Sequence, residues 1–342
     1  MPRRALRRVV PPSGAPLAAR VFARLADGRF HSGEQLAGEL RVSRSAVWKA
    51  AGTLRALGAG LHAVRNRGYR LDRTCEPLDA GSIRALLPRA LRERVAKLET
   101  TWSIASTNSA LLERAGPRSG TSEVLLAEYQ SAGRGRRGRA WLAPPGGAIC
   151  LSLSWMFRAV PPDLGALGLV IGVCALRALE ELGVRHASLK WPNDLLLGER
   201  KLGGVLIDLR AESAGPAYVV IGIGLNVTLG ERVLAKIAAA GLPAADLVSA
   251  GLAAPPRNRV AAGLIGACLR GLMEFEQRGL KPFIEEWRGA DALRGRPVDV
   301  KVVEGTSSRG LARGIDPHGA LLVETAQGMR RFTSGDVTVR PV

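Results

Sequence analysis

Cysteine is scarce in this 342-residue chain: Cys75, Cys150, Cys174 and Cys268 lie far apart, with no C-x-x-C pair and no histidine at metal-ligand spacing. Neither a disulfide framework nor a zinc site is indicated, and no residue is assigned as a metal ligand. No apolar run approaches the roughly 20 residues that span a bilayer. Even residues 164–182 are interrupted by Gly165, Gly168, Gly172, Arg177, Glu180 and Glu181, and read as a buried helix. The basic start is followed by Pro11, Pro12 and Gly14, where a secretion signal needs its apolar stretch. The expectation is a cytoplasmic chain without a membrane partner. Acidic residues are also in short supply, 30 against 49 Lys and Arg, for a formal charge of +19.

What is present fits a folded protein. Hydrophobic residues at 46% and charged residues at 23% are ordinary for a globular chain, and the length predicts two or three domains of roughly 150 residues. The positive charge attracts polyanions and can supply non-specific nucleic-acid affinity. Abundant Arg beside heavy Ala and Gly is equally what biased genome composition produces, so charge alone leaves DNA binding open.

Residues 1–16 hold four Arg, four Pro and one Gly without apolar periodicity, the pattern of a disordered basic arm. From residue 17 the spacing turns helical. Leu17, Val21 and Leu25 mark a first helix ending at Asp27-Gly28. Ser32 caps a second helix through Leu36 and Leu40, and Ser43 caps a third over 44–57 with Val47, Leu54 and Leu57 inward. Arg44, Ser45, Trp48 and Lys49 then occupy the amino-terminal half of that third helix, where a recognition helix meets base edges. Residues 61–64 and 69–71 form a hairpin around Arg65-Asn66-Arg67-Gly68. A three-helix unit with such a basic wing resembles winged helix-turn-helix proteins, with Ser43, Arg44, Ser45, Trp48, Lys49, Arg65 and Arg67 as DNA contacts. A short helix over 80–87 stops at Pro88. Apolar strand-like runs at 124–128, 149–155, 204–209 and 218–227 alternate with helical stretches, giving an α/β domain. Five short strand-like pieces between 298 and 340 fit a small β-barrel.

Three segments carry chemistry. Residues 133–139, Gly-Arg-Gly-Arg-Arg-Gly-Arg, follow a strand and can bind an anion: glycines admit backbone N–H groups close to a phosphate, and guanidinium forks grip phosphate or carboxylate oxygens. Taken alone, the same run fits an RGG-type nucleic-acid segment. Lys190-Trp191-Pro192-Asn193-Asp194 and Lys201-Leu202-Gly203-Gly204 come next. In that order, with Ser106-Thr107-Asn108 and Tyr129-Gln130 upstream, they closely resemble the biotin protein ligases. The likeness extends to residues 31–40, the Ser43-Arg44 region, residues 222–227 and the tail at 313–322, so it covers nearly everything after residue 16. It is strongest to the bifunctional group, biotin-[acetyl-CoA-carboxylase] ligases that carry a winged helix-turn-helix and repress biotin synthesis genes.

The resemblance implies an α/β (α+β) architecture divided as arm (1–16), winged helix-turn-helix (17–73), ligase domain of mixed α/β type (74–291) and SH3-like β-barrel (292–342). It implies that biotin is joined to AMP using ATP and Mg2+, then passed to a lysine of a biotin carboxyl carrier protein. A carboxylate attacking the phosphate of a polyanion needs preorganised cations and N–H donors; Arg134, Arg136, Lys190 and Lys201 are the candidates, with Asp194 holding magnesium through water, acting as a base, or pinning its turn. By the family pattern Ser106, Thr107, Asn108, Gln130, Arg134, Gly135, Arg136 and Lys201 face biotin, while Arg136, Trp141, Asn193 and Asn226 face the nucleotide. Ser106 also reads as a helix N-cap, and Trp191, like Trp141, is a candidate pocket wall. The chain departs from the repressor-type pattern in one place: residues 231–250 contain no aromatic to close over the adenylate. A ligand-promoted homodimer on operator DNA is the implied repressor. Two alternatives stand beside this reading: a DNA-binding repressor whose α/β domain senses a ligand without catalysis, and a lipoate protein ligase.

Overall fold

The computed structural model describes residues 14–211, 216–239, 243–253, 255–302, 307–333 and 337–341. Residues 1–13 of the basic arm therefore lie outside the described part.

The amino-terminal unit is α1 (Leu17–Leu25), α2 (Gly33–Leu40), α3 (Arg44–Ala56) and the antiparallel hairpin β1 (Leu61–Val64) and β2 (Gly68–Leu71). Local chemistry sets its boundaries. Ser32 Oγ accepts from Gln35 N at 3.0 Å and Ser43 Oγ from Ala46 N at 3.2 Å, satisfying donors that a helix start leaves unpaired. Val21, Phe22, Leu25, Leu36, Val47 and Leu54 form a core of their own. The third helix ends one residue early and Leu57 is only half-buried; Ala50 and Ala51 complete its inward face instead, because the helix lies close against α1. In the wing turn Asn66 takes φ 62°, a left-handed conformation that asparagine tolerates.

Next come α4 (Ala80–Leu86), α5 (Arg89–Arg92), β3 (Val95–Ile104), α6 (Thr107–Leu112), β4 (Ser122–Gln130), β5 (Ala148–Phe157), α7 (Leu167–Glu181), β6 (Ala187–Lys190), β7 (Asp194–Leu197), β8 (Arg200–Ala211), β9 (Ala217–Asn226), α8 (Glu231–Ala239), α9 (Arg257–Arg278) and α10 (Ile284–Gly289). The strands make one mixed sheet in the order β3-β4-β5-β9-β8-β7-β6, parallel only between β3 and β4.

Strict alternation along the central strands gives the sheet two unlike faces. Ile149, Leu151, Leu153 and Trp155 of β5, with Val219, Ile221, Ile223 and Leu225 of β9, point into the main core under α7 and α9. The residues between them are small. Cys150, Gly224 and Gly204 line up across three strands, and Ser152, Gly222 and Leu206 form the next row. This opposite face carries α6 and leaves a concavity.

The tail forms β10 (Pro297–Val302), β11 (Ser307–Ile315), β12 (Leu321–Thr325), β13 (Gly328–Phe332) and β14 (Val337–Pro341), an antiparallel sheet in the order β13-β12-β11-β10-β14. All five expected strands are present. The expected barrel is here a sheet whose outer strands β13 and β14 are not hydrogen-bonded to each other among the described residues. No described helix is long and apolar enough to cross a membrane.

Candidate active site

The small-residue face floors a cavity of about 640 Å3, within the range of roughly 300–1,000 Å3 usual for small-molecule sites. The structure brings to this one cavity all the residues assigned to biotin, nucleotide or catalysis: Ser106, Thr107, Asn108, Gln130, Arg134, Gly135, Arg136, Trp141, Lys190, Asn193, Asp194, Lys201 and Asn226. They come from segments up to 120 residues apart in sequence, joined only by the fold.

At the floor, the start of α6 is held in a buried polar network. Ser106 Oγ accepts from Ser109 N at 3.3 Å, so it caps the helix as well as facing the cavity. Thr107 donates through its N–H (2.7 Å) and its hydroxyl (3.0 Å) to Gln130 Oε1. The Ser152 hydroxyl donates to Asn108 Oδ1 at 2.5 Å and lies 2.7 Å from Thr107 Oγ1. Asn108 Nδ2 donates to Asp208 Oδ2 at 2.9 Å. Gly222 makes room for this amide, since a Cβ there would collide with the Asn108 side chain. Beside it Gly224 lets the Trp141 indole lie on the strand; an added Cβ would sit 2.5 Å from the ring. Cys150 completes the floor, and burial pushes its thiol up to about 12, so it is a neutral wall and no nucleophile.

Over the floor hangs the glycine-arginine loop. It folds back on itself, Gly135 N donating to Arg139 O at 2.7 Å and Trp141 N to Gly133 O at 2.9 Å, with Arg137 at φ 59°. Arg134 donates to Ser109 Oγ at 2.9 Å and lies 3.8 Å from Asp208. Lys201 Nζ bonds Asp194 Oδ1 at 2.5 Å and sits 5.9 Å from the Trp141 ring centroid. That ion pair was not foreseen; it joins the candidate cation to the residue whose role was left open. Asp194 lies opposite Lys190 in the register of the β6–β7 hairpin, and Lys201 reaches it from the neighbouring strand β8.

Several assigned residues act on the framework. Asn193 Nδ2 donates to Val205 O at 2.7 Å, and Asn226 Nδ2 to Ala245 O and Lys201 O. Trp191 is 2% exposed and donates to Gly319 O at 3.1 Å. It ties the ligase domain to the β11–β12 turn and is mainly core. On the aromatic-free stretch, Ile237, Pro243 and Ala244 line the cavity, an aliphatic cover where an aromatic was missing. Residues 240–242 lie outside the described part. Glu199 and Arg296, ion-paired at 2.7 Å, bring the tail sheet to the rim.

Sequence reasoning missed Ser152 and Asp208. Both lie inside strands and belong to no motif. The readable signal was the alternation Ile149-Cys150-Leu151-Ser152-Leu153-Ser154-Trp155, which places small polar residues on one face.

The residues assigned to DNA lie elsewhere. Ser43, Arg44, Ser45, Trp48, Lys49, Arg65 and Arg67 are exposed, on α3 and the wing turn, with Trp48 at 66%. Arg67 stacks 4.2 Å from the Phe30 ring centroid.

A winged helix joined to an α/β domain, whose cavity sets arginines and lysines over a polar floor, defines a ligase-type domain coupled to a nucleic-acid-binding module. Sequence models of the biotin/lipoate A/B protein ligase family match residues 103–226, of the biotin protein ligase C-terminal domain residues 294–340, and of an HTH domain residues 20–70. The chain is 39% identical to the bifunctional ligase/repressor BirA of Salmonella typhimurium over 92% of its own length and 95% of that protein's. It is 38% identical to the BirA of Escherichia coli, over 94% and 96%. Its structure resembles biotin protein ligase from Aquifex aeolicus in complex with biotin and ATP, with TM-score 0.59, 26% identity, and coverage of 72% of this chain and 100% of that one. The chain belongs to the biotin/lipoate A/B protein ligase family, in its bifunctional ligase/repressor group.

Proposed function

We propose that the protein is an ATP-dependent biotin protein ligase that also represses transcription, and that the cavity residues named above are its site. The observation that carries this reading is the convergence of Arg134, Arg136, Lys190 and Lys201 on one cavity whose floor offers hydroxyl and amide groups.

The biotin carboxylate attacks the α-phosphorus of ATP; the new bond is carboxyl oxygen to phosphorus, and pyrophosphate leaves with the pair of the broken P–O bond. Two anions must meet, and charge grows on the phosphoryl oxygens, so fixed cations in a partly dry cavity lower the barrier more than they would in water. Ser106, Thr107 and Asn108 suit a ureido head, which has donors and an acceptor to satisfy once buried, while Gln130 and the Arg134-Gly135-Arg136 backbone would frame the carboxylate. Lys201 is neutralised by Asp194 before ligand arrives and can turn to the acyl phosphate afterwards. In the second step a carrier lysine attacks the acyl carbon and AMP departs; Asp194, released from Lys201, is placed to take the amine proton. Magnesium would enter with the nucleotide. The cavity carboxylates Asp194 and Glu199 already hold Lys201 and Arg296, which fits an ion held chiefly by ATP phosphates. This reading takes a biotin carboxyl carrier protein as the partner and the cytoplasm as the compartment. The division into 1–16, 17–73, 74–291 and 292–342 is the one this function uses, and repression would run through a homodimer on operator DNA.

Incorporation of labelled biotin into a carrier domain tests the proposal, with lipoate as control. Biotin-dependent labelling is expected. Ligand binding without labelling would leave a sensor, and labelling by lipoate alone would leave a lipoate ligase.

A further inference from the structure

Asp208 stands on β8 beside the cavity without lining it, and two site residues depend on it. Its Oδ2 accepts from Asn108 Nδ2 at 2.9 Å and lies 3.8 Å from Arg134 Nη2. The first contact fixes which way the Asn108 amide faces. With Nδ2 committed to the carboxylate and to Leu206 O (3.4 Å), Oδ1 must face the Ser152 hydroxyl. The second reaches the first arginine of the glycine-arginine loop, whose other anchor is Ser109 Oγ at 2.9 Å. Ser109 follows Asn108 directly in the first turn of α6. A single carboxylate thus couples floor and loop: it orients the amide below and attracts the guanidinium above. Arg134 is nearly half exposed. Holding it needs such an anchor, because an exposed arginine otherwise samples many rotamers.

We propose that Asp208 is a positioning residue that clasps the glycine-arginine loop over the floor of the cavity and so sets the affinity for the carboxylic acid substrate. It acts through Asn108 and Arg134. The inference rests on the ligase reading for its kinetic arm only; the state of the loop can be read without substrate.

Asp208→Asn keeps the shape and removes the charge. The expected result is a KM for biotin raised about tenfold with the KM for ATP little changed, since one weakened charge-assisted contact is worth about a factor of ten. Limited trypsin digestion of the ligand-free full-length protein should cut within residues 134–139 several times faster than in wild type, and biotin with ATP should restore protection. Asp208→Glu should fall between. Unchanged biotin KM and unchanged cleavage would overturn the clasp, and so would a fall in kcat alone, which would place Asp208 in the chemistry. If Asp208→Asn proves too unstable to assay, Ser109→Ala removes the other anchor from the helix surface; it should also speed cleavage in the loop, and no change there would equally overturn the proposal. Wild-type protein that releases no pyrophosphate with biotin would defeat the ligase reading separately, leaving the digestion result to judge the clasp.

Discussion

Lys201 and Asp194 hold each other at 2.5 Å at the centre of the site, so removing either leaves the other without its partner. Lys201→Ala should abolish biotin transfer while leaving the circular dichroism spectrum normal; a variant that folds and still transfers at the wild-type rate would remove Lys201 from the mechanism. Arg136→Ala should slow adenylate formation by roughly ten- to a hundredfold, the equivalent of a lost charge-assisted contact of about 1.5–3 kcal/mol. Unchanged single-turnover rates would contradict its assignment. Gly224→Val pushes on the Trp141 ring and should weaken nucleotide and biotin binding together by tenfold or more, read by calorimetry; unaltered affinity for both would show that the ring moves freely. These positions were unequally legible. Lys201 and Arg136 stand in motifs whose spacing along the chain is itself informative. Ser152, Asp208 and Gly222 stand in strands, where only the two-residue alternation speaks, and that alternation tells which face a residue takes without telling what it meets there.

Among the elements, α9 begins on a buried ion pair. Arg257 bonds Glu128 of β4 and also Glu76 O and Ala148 O. Burial alone would lower the pKa of this guanidinium, but the adjacent Glu128 carboxylate outweighs it and holds Arg257 firmly charged. Glu128 in turn accepts from Leu78 N and Gly146 N, so one pair fastens the linker, the sheet and the long helix. Glu128→Ala should lower unfolding free energy by about 3–5 kcal/mol, because it strands a buried charge; a loss below about 1 kcal/mol in urea titration would contradict this. Asp291, at the junction of the ligase domain and the tail sheet, has its carboxyl pushed up to about 6 by burial, with Oδ2 unbonded. The fold keeps it protonated where the unfolded chain, at the ordinary 3.8, has lost its proton. Its contribution is therefore full below about pH 4 and is lost as the pH rises through about 6. Asp291→Asn should match wild type near pH 4 and exceed it by about 3 kcal/mol at pH 7.5; thermal unfolding at both pH values checks the sign, and equal stability at pH 7.5 would contradict it. The helices of the winged unit were readable from Ser32 and Ser43 because a cap acts within four residues. That the tail strands form a sheet with β13 and β14 not paired to each other among the described residues was not, since pairing between outer strands depends on contacts that no local pattern encodes.

At the scale of the whole molecule, the winged unit does not stand free. Phe22 packs 5.4 Å from Trp102 of β3, and Trp102 belongs to the rim of the winged unit's own core. A single winged helix reads one half-site, and a two-fold dimer reads two, so a ligand that favours dimerisation strengthens repression by linkage. Operator affinity in gel-shift titrations should rise when biotin and ATP are both present and fall steeply with salt, as Arg44, Lys49, Arg65 and Arg67 displace counterions from phosphates. Equal affinity with and without the adenylate would end the regulatory coupling and leave the ligase intact. The division of labour between the two ends was legible because winged helix and ligase motifs occupy separate stretches of chain; the packing of Phe22 on Trp102 was not, since it joins residues 80 positions apart. The central claim is that the cavity activates biotin, and its most direct measurement is pyrophosphate release from ATP and Mg2+ by the purified full-length protein. The account predicts release that depends on biotin, is not supported by lipoate, and disappears in Lys201→Ala; release indifferent to biotin, or none from well-folded protein that binds both ligands, would contradict it.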